Sequence, residues 1–176
     1  MTMWVFGYGS LVWNPGFTPS GRVLATLPGY RRSFCMRSIH HRGTDENPGL
    51  VLALDAIPSA ECQGVALSVA DGEEDEVMAY LRERELISSA YLEKKLPVCL
   101  SDGREVQAVT YVVDTDHVQY CGGMGLEEQA HIISVAMGGR GPNDEYLYQT
   151  HEHLAELGIA DPDLDWLVSR VRGLSS

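Results

Sequence analysis

Cations are scarce in this chain: 13 Lys and Arg stand against 25 Asp and Glu, for a formal net charge of −12. That balance repels the phosphates of nucleic acids and the anionic surface of membranes, so neither is expected as a partner. Long apolar runs are missing too, and nowhere do the ~18 consecutive apolar residues of a membrane-spanning helix occur. Met1-Thr2-Met3-Trp4 has neither the charged start nor the apolar stretch of a secretory signal, so the expected location is the cytoplasm. The four cysteines, Cys35, Cys62, Cys99 and Cys121, form no Cys-x-x-Cys pair and stand at no zinc-ligand spacing with histidine. Reduced, mostly buried thiols follow, and no metal site. Repeats, low-complexity tracts and linkers are also absent. With 176 residues and 44% hydrophobic content, the chain has enough core for one domain over residues 1–176.

What is present begins at once. Trp4-Val5-Phe6-Gly7-Tyr8-Gly9-Ser10-Leu11 reads as a buried strand that breaks into a glycine-flanked loop where polar groups first appear. Such a loop can aim several amide N–H groups at one anion. A dinucleotide fingerprint would need a third glycine at position 12 and then a helix, but Val12-Trp13-Asn14-Pro15-Gly16 follows. A nucleophile elbow on Ser10 would need glycines where Tyr8 and Val12 stand. A strand with an ordinary tight turn remains as the plainer reading of the stretch.

Downstream, Arg22 to Leu27 and Tyr30 to Arg37 read as the two strands of a hairpin turned at Pro28-Gly29. Four of the 13 cations, Arg31, Arg32, Arg37 and Arg42, fall between Tyr30 and Thr44 with no acidic residue among them. Solvated arginines answering surface carboxylates and a subsite for an anionic ligand both fit this island. Leu50 to Leu54 and Gly64 to Val69 read as neighbouring core strands. Asp71 and Glu74 open a helix in the manner of a capping box, and the helix carries Val77, Tyr80 and Leu81. Its phase places Glu85, four residues beyond Leu81, toward the apolar side with part of Arg84, and sends Glu83 to solvent. Ala90 to Leu100 and Val106 to Val113 follow as strands joined by the Ser101-Asp102-Gly103 turn, giving a mostly antiparallel sheet. Three helices are predicted after that: Leu126 to Met137, Asn143 to Leu157, and one capped by Asp161 with Pro162 at its first position. Leu164, Leu167, Val168 and Val171 give the last helix its core stripe.

Several of these stretches occur together in a known pattern. Val5-Phe6-Gly7-Tyr8-Gly9-Ser10-Leu11 with Trp13, Ser38, His41-Arg42-Gly43, Cys62-x-Gly64-Val65-Ala66, Tyr80-Leu81, Arg84-Glu85 and Asn143-x-Glu145-Tyr146-Leu147 occur in that order. The chain thereby resembles the ChaC-like gamma-glutamylcyclotransferases over nearly its whole length. The resemblance implies an α+β fold, a small mixed, mostly antiparallel β-barrel with peripheral helices. It also implies an enzyme that cleaves glutathione, a small-molecule substrate, to 5-oxoproline and cysteinylglycine without metal, nucleotide or other cofactor; a monomer is expected. It assigns Val5, Phe6, Gly7, Tyr8, Gly9, Ser10 and Leu11 to the glutamyl moiety, Glu85 to acid/base catalysis and Tyr146 to the site. Arg37 or Arg42 could hold the substrate's far carboxylate, and Arg42, inside the matching His41-Arg42-Gly43, is the expected holder. Where eukaryotic relatives continue Arg-Glu with Lys-Gly-Gly-Tyr, this chain has Leu86-Ile87-Ser88-Ser89-Ala90-Tyr91, resembling the bacterial branch.

The implied reaction sets what the residues must do. The glutamyl α-amine attacks its own γ-carbonyl, closes a five-membered ring and expels the amine of the remaining peptide. One proton must leave the incoming ammonium and one must reach the departing amine, so a single shuttling carboxylate suffices. Burial would lift the Glu85 carboxyl above its ordinary value toward neutrality and suit it to the task. A helix-end carboxylate paired with Arg84 or Arg82 is the competing reading of Glu85. Two other functions fit the resemblance: a cyclotransferase acting on other γ-glutamyl amines or amino acids, and a non-catalytic γ-glutamyl-binding module.

Overall fold

Five strands close into a barrel in the order β1-β3-β2-β4-β5, the central feature of a computed structural model that describes residues 2–85 and 90–175. The bacterial-like link at Leu86 to Ser89 lies outside the described residues. The strands are β1 (Met3–Gly7), β2 (Gly21–Ser38), β3 (Gly49–Val69), β4 (Tyr91–Leu100) and β5 (Glu105–Val113). β1 runs antiparallel to β3, with Gly7 opposite Val65, and parallel to β5, with Val5 opposite Val109. β2–β4 and β4–β5 are antiparallel, so the sheet is mixed and mostly antiparallel. Val5, Phe6, Leu54, Ala66, Leu67, Val98 and Ala108 are fully buried. Each large apolar side chain so buried contributes ~1.5–3 kcal/mol.

The chain divides into two compact units. The first, residues 1–32 and 54–117, contains β1, β4, β5, the larger parts of β2 and β3, and two helices, α1 (Ser10–Trp13) and α2 (Glu74–Glu85). The second, residues 33–53 and 118–176, holds α3 (Leu126–Val135), the short pair β6 (Met137–Gly138) and β7 (Gly141–Pro142), α4 (Asn143–Glu156) and α5 (Pro162–Ser175). In this second unit Asp161 caps α5 as predicted, its Oδ1 accepting the Leu164 amide at 3.2 Å, and Leu164, Leu167, Val168 and Val171 are buried. Arg170 of α5 reaches Glu127 of α3 at 2.6 Å, and His151 of α4 lies 2.7 Å from Asp165 of α5.

Several expectations are corrected. The predicted hairpin at Pro28-Gly29 does not form: β2 is one strand of 18 residues. Gly29 takes a left-handed φ of +84°, which bends the strand without reversing it. Leu50 to Leu54 and Gly64 to Val69 are likewise the two ends of a single strand of 21 residues, not neighbours. The polar segment between them, which reads as a connection, alternates largely between half-buried and exposed as an extended strand does. Residues 10–13 form a turn of helix where a loop was expected, and α3 stops two residues before Met137, which enters β6. At the start of α2 the Glu74 carboxylate accepts the amide of Gly72 at 3.0 and 3.1 Å, and the helix begins at Glu74 with Val77 donating to the Glu73 carbonyl, so Asp71 stands two residues ahead of the cap position. All four cysteines are free thiols, but Cys99 is exposed and only Cys35 and Cys62 are buried.

Candidate active site

The first unit gathers the predicted loop and the predicted carboxylate. β1 delivers Gly7 to the barrel rim, and the chain turns through Tyr8 and Gly9 into α1. Within that turn Val12 donates to the Gly9 carbonyl at 2.9 Å and Asn14 to that of Ser10 at 2.7 Å. The amides that open a helix precede any intrahelical acceptor, so the N–H groups at Gly9 and Ser10 belong to the turn's donor end. Val5 and Phe6 are wholly buried and form the barrel wall beneath the loop, Tyr8, Gly9 and Leu11 are buried, and Ser10 is half-buried.

α2 brings Glu85 in. Val77 and Leu81 anchor the helix in the core, Glu83 is exposed, and the Glu85 side chain keeps 16% of its exposure. The helical phase read from the sequence therefore holds. Glu85 Oε1 lies 3.4 Å from Nε of Arg84, itself 14% exposed. The ion pair weighed as the competing reading of Glu85 is thus present with Arg84, while Arg82 turns outward to Glu93, its Nε and Nη2 donating at 3.0 and 3.1 Å. The Arg84 guanidinium also reaches the loop, Nη2 donating to Ser10 Oγ at 2.9 Å. Ser10 and Glu85 therefore flank one cation.

Three residues that the sequence did not assign to this loop, Arg32, Tyr111 and Glu93, complete the neighbourhood. Arg32, 6% exposed, donates from Nε to the Tyr8 carbonyl at 2.8 Å and from Nη2 to the Gln63 carbonyl. It was legible only as part of the basic island, and from β2 it holds the Tyr8 carbonyl of the loop. Tyr111 of β5, 1% exposed, accepts the Tyr8 hydroxyl on its carbonyl at 3.2 Å and donates its own phenol proton to Glu93 Oε1 at 2.9 Å. Burial, first of all, pushes the Tyr111 phenol well above its ordinary range, and the charges of Glu93 and Glu85 add to this. The Arg82 hydrogen bonds hold the Glu93 carboxyl below its usual value.

Arg42 and Tyr146 meet in the second unit. The Arg42 guanidinium carbon lies 5.6 Å from the Tyr146 ring centroid, Nη1 donates to the Pro142 carbonyl at 3.1 Å, and the residue is 7% exposed. The Arg42 amide donates to Ser38 Oγ at 3.0 Å, which accounts for the Ser38 of the motif. Tyr146 packs edge-on against Phe34, with centroids 6.0 Å apart, and its hydroxyl accepts the Leu52 amide at 3.3 Å. Asn143, three residues earlier, pairs both sides of its amide with Leu50 at 2.8 Å. The Asn143-x-Glu145-Tyr146 motif thus fastens α4 to β3. Of the basic island, Arg32 and Arg42 are buried, Arg37 is half-buried and only Arg31 is exposed. Among the described residues no cluster of His, Cys, Asp and Glu could hold a metal ion, and no helix is long and apolar enough to cross a membrane.

Comparison with known proteins places the chain in a family. The ChaC-like protein family matches residues 3–174. The chain is 34% identical over 172 residues to a glutathione-specific gamma-glutamylcyclotransferase of Escherichia coli (strain K12), covering 98% of this chain and 74% of that protein. It is 36% identical to gamma-glutamylcyclotransferase 2-3 of Arabidopsis thaliana, covering 100% of this chain and 92% of the relative. Its fold is similar to the crystal structure of a yeast gamma-glutamyl cyclotransferase specific to glutathione. The TM-score is 0.89 at 26% identity, covering 98% of this chain and 96% of that one.

Proposed function

The chain belongs to the ChaC-like family, and from that premise we propose how it acts as a gamma-glutamylcyclotransferase that cleaves glutathione to 5-oxoproline and cysteinylglycine. Glu85 takes a proton from the glutamyl ammonium and the freed amine attacks the γ-carbonyl; the same carboxyl returns that proton to the nitrogen of the departing peptide as the C–N bond breaks, and the second proton shed by the ring nitrogen converts the released amine to its ammonium. No covalent enzyme intermediate, metal or nucleotide enters this balance. The observation that carries the reading is the meeting of Ser10 and Glu85 on the Arg84 guanidinium, which brings the family's loop and its carboxylate into one neighbourhood.

The turn from Tyr8 to Leu11 holds the glutamyl end. Amide N–H groups at Gly9 and Ser10 supply fixed donors for negative charge, whether on the α-carboxylate or on the tetrahedral oxygen. Holding amine and carbonyl at attack distance against such a turn contributes up to ~7–11 kcal/mol toward the barrier. Arg42, beside Tyr146 in the second unit, is proposed to hold the far carboxylate of the substrate. Product analysis tests the function: purified protein incubated with glutathione in the presence of EDTA yields equal amounts of 5-oxoproline and cysteinylglycine. Loss of activity on chelation, restored by zinc, overturns the metal-free mechanism, and absence of 5-oxoproline overturns the function.

A further inference from the structure

We infer that Arg84 is a positioning residue, one that registers the Glu85 carboxylate against the loop; this rests on the reading of Glu85 as the proton shuttle. The guanidinium uses its fork almost fully. Nε faces Glu85 Oε1 at 3.4 Å, Nη1 donates to the Asn14 carbonyl at 2.5 Å and to the Tyr80 hydroxyl at 3.2 Å, and Nη2 donates to Ser10 Oγ at 2.9 Å. Four of arginine's five N–H groups are thereby directed at four different residues. Lysine carries one nitrogen at the end of a flexible stem and cannot reproduce that set.

The partners say what is held. Ser10 and Asn14 bracket α1, a helix of 4 residues with no side-chain cap of its own. So short a helix has little stability unless it is fastened from outside. α2 supplies the fastening from two residues four apart on one helical face, Tyr80 and Arg84. Tyr80 packs so closely on residue 16 that a Cβ there would lie 1.9 Å from its hydroxyl, and the arginine takes both ends of the turn. Glu85 is the next residue along the helix, where neighbouring side chains diverge, so its contact with Nε comes from the guanidinium folding across to it. One side chain thus sets the position of the turn and the direction of the carboxylate together. A misplacement of about 1 Å between such groups costs on the order of 10²-fold in rate.

A double-mutant cycle tests this. Arg84→Ala lowers kcat for glutathione on the order of 10–100-fold while KM moves far less, and Arg84→Lys stays close to Arg84→Ala. In a Glu85→Gln background the same Arg84 substitutions cost little more, because what they position is already gone. Urea unfolding of each variant shows that it is folded, and Arg84→Lys carries the cycle if the alanine variant does not fold. Losses that multiply independently in the two backgrounds, or full activity in Arg84→Lys, overturn the inference. Glu85→Gln alone at the wild-type rate removes the shuttle itself, an outcome the single variant tells apart from failure of Arg84.

Discussion

Tyr111 donates its phenol proton to Oε1 of Glu93 at 2.9 Å from a position that keeps 1% of its exposure. Burial and the Glu93 carboxylate both oppose ionisation, so the folded chain holds the phenol protonated well above the ordinary value of 10.0. The unfolded chain releases this proton at about pH 10. The contribution is therefore fully present below pH ~10 and is lost as the pH climbs past it. Tyr111→Phe removes a hydrogen bond to a charged acceptor and lowers stability at pH 8 by about 1–3 kcal/mol. Urea midpoints of the two proteins converge between about pH 9.5 and 11, because only the wild type carries the alkaline loss. A gap that stays constant over that interval contradicts the account.

Asn143 and Leu50 make a second test, one of stability alone. The buried Asn143 amide satisfies both the N–H and the C=O of Leu50. Asn143→Ala leaves two buried backbone groups without partners, at about 1–3 kcal/mol each. A fall in unfolding free energy of about 2–6 kcal/mol is expected from urea titration. An unchanged midpoint would mean that the pair contributes nothing.

The sequence marks such residues without saying what they do. Local signals were legible: the Asp161 cap of α5, the stripe from Leu164 to Val171, and the phase that sends Glu83 outward and Glu85 inward. These depend on spacing within one element. Pro28-Gly29 looks like a hairpin turn because the same residues that reverse a chain also bend a strand, and only the partner strand decides between them. Asn143 and Tyr146 belong to the family motif, yet they grip β3 backbone at Leu50 and Leu52. Arg32 and Tyr111 leave no periodic mark, since a guanidinium meeting a distant carbonyl and a strand carbonyl accepting the Tyr8 hydroxyl are tertiary events. For the same reason the basic island split into buried and exposed arginines that composition treats alike.

Arg42 is next. Its guanidinium rests on the Pro142 carbonyl and the Tyr146 ring, so Arg42→Ala is expected to lower stability and, on the proposed role, to weaken binding as well. The thermal midpoint falls, and KM for glutathione rises more than kcat drops, because a carboxylate held in ground and transition state alike is uniform binding. An unchanged KM for glutathione in the folded variant would confine Arg42 to the packing of the second unit.

The central claim is that the half-buried carboxylate of α2 moves the proton. Steady-state kinetics of Glu85→Gln beside Glu83→Gln measures it most directly, since the two residues are neighbours on one helix and differ in exposure. Glutamine keeps the shape and cannot accept the ammonium proton. Glu85→Gln is expected to stay folded, to bind substrate and to lose ~10²–10⁴ in kcat, the usual weight of acid/base catalysis. Glu83→Gln is expected to keep near-normal activity. If Glu85→Gln turns over glutathione at the wild-type rate, Glu85 is not the shuttle, and if Glu83→Gln alone is inactive the carboxylate has been assigned to the wrong face of α2.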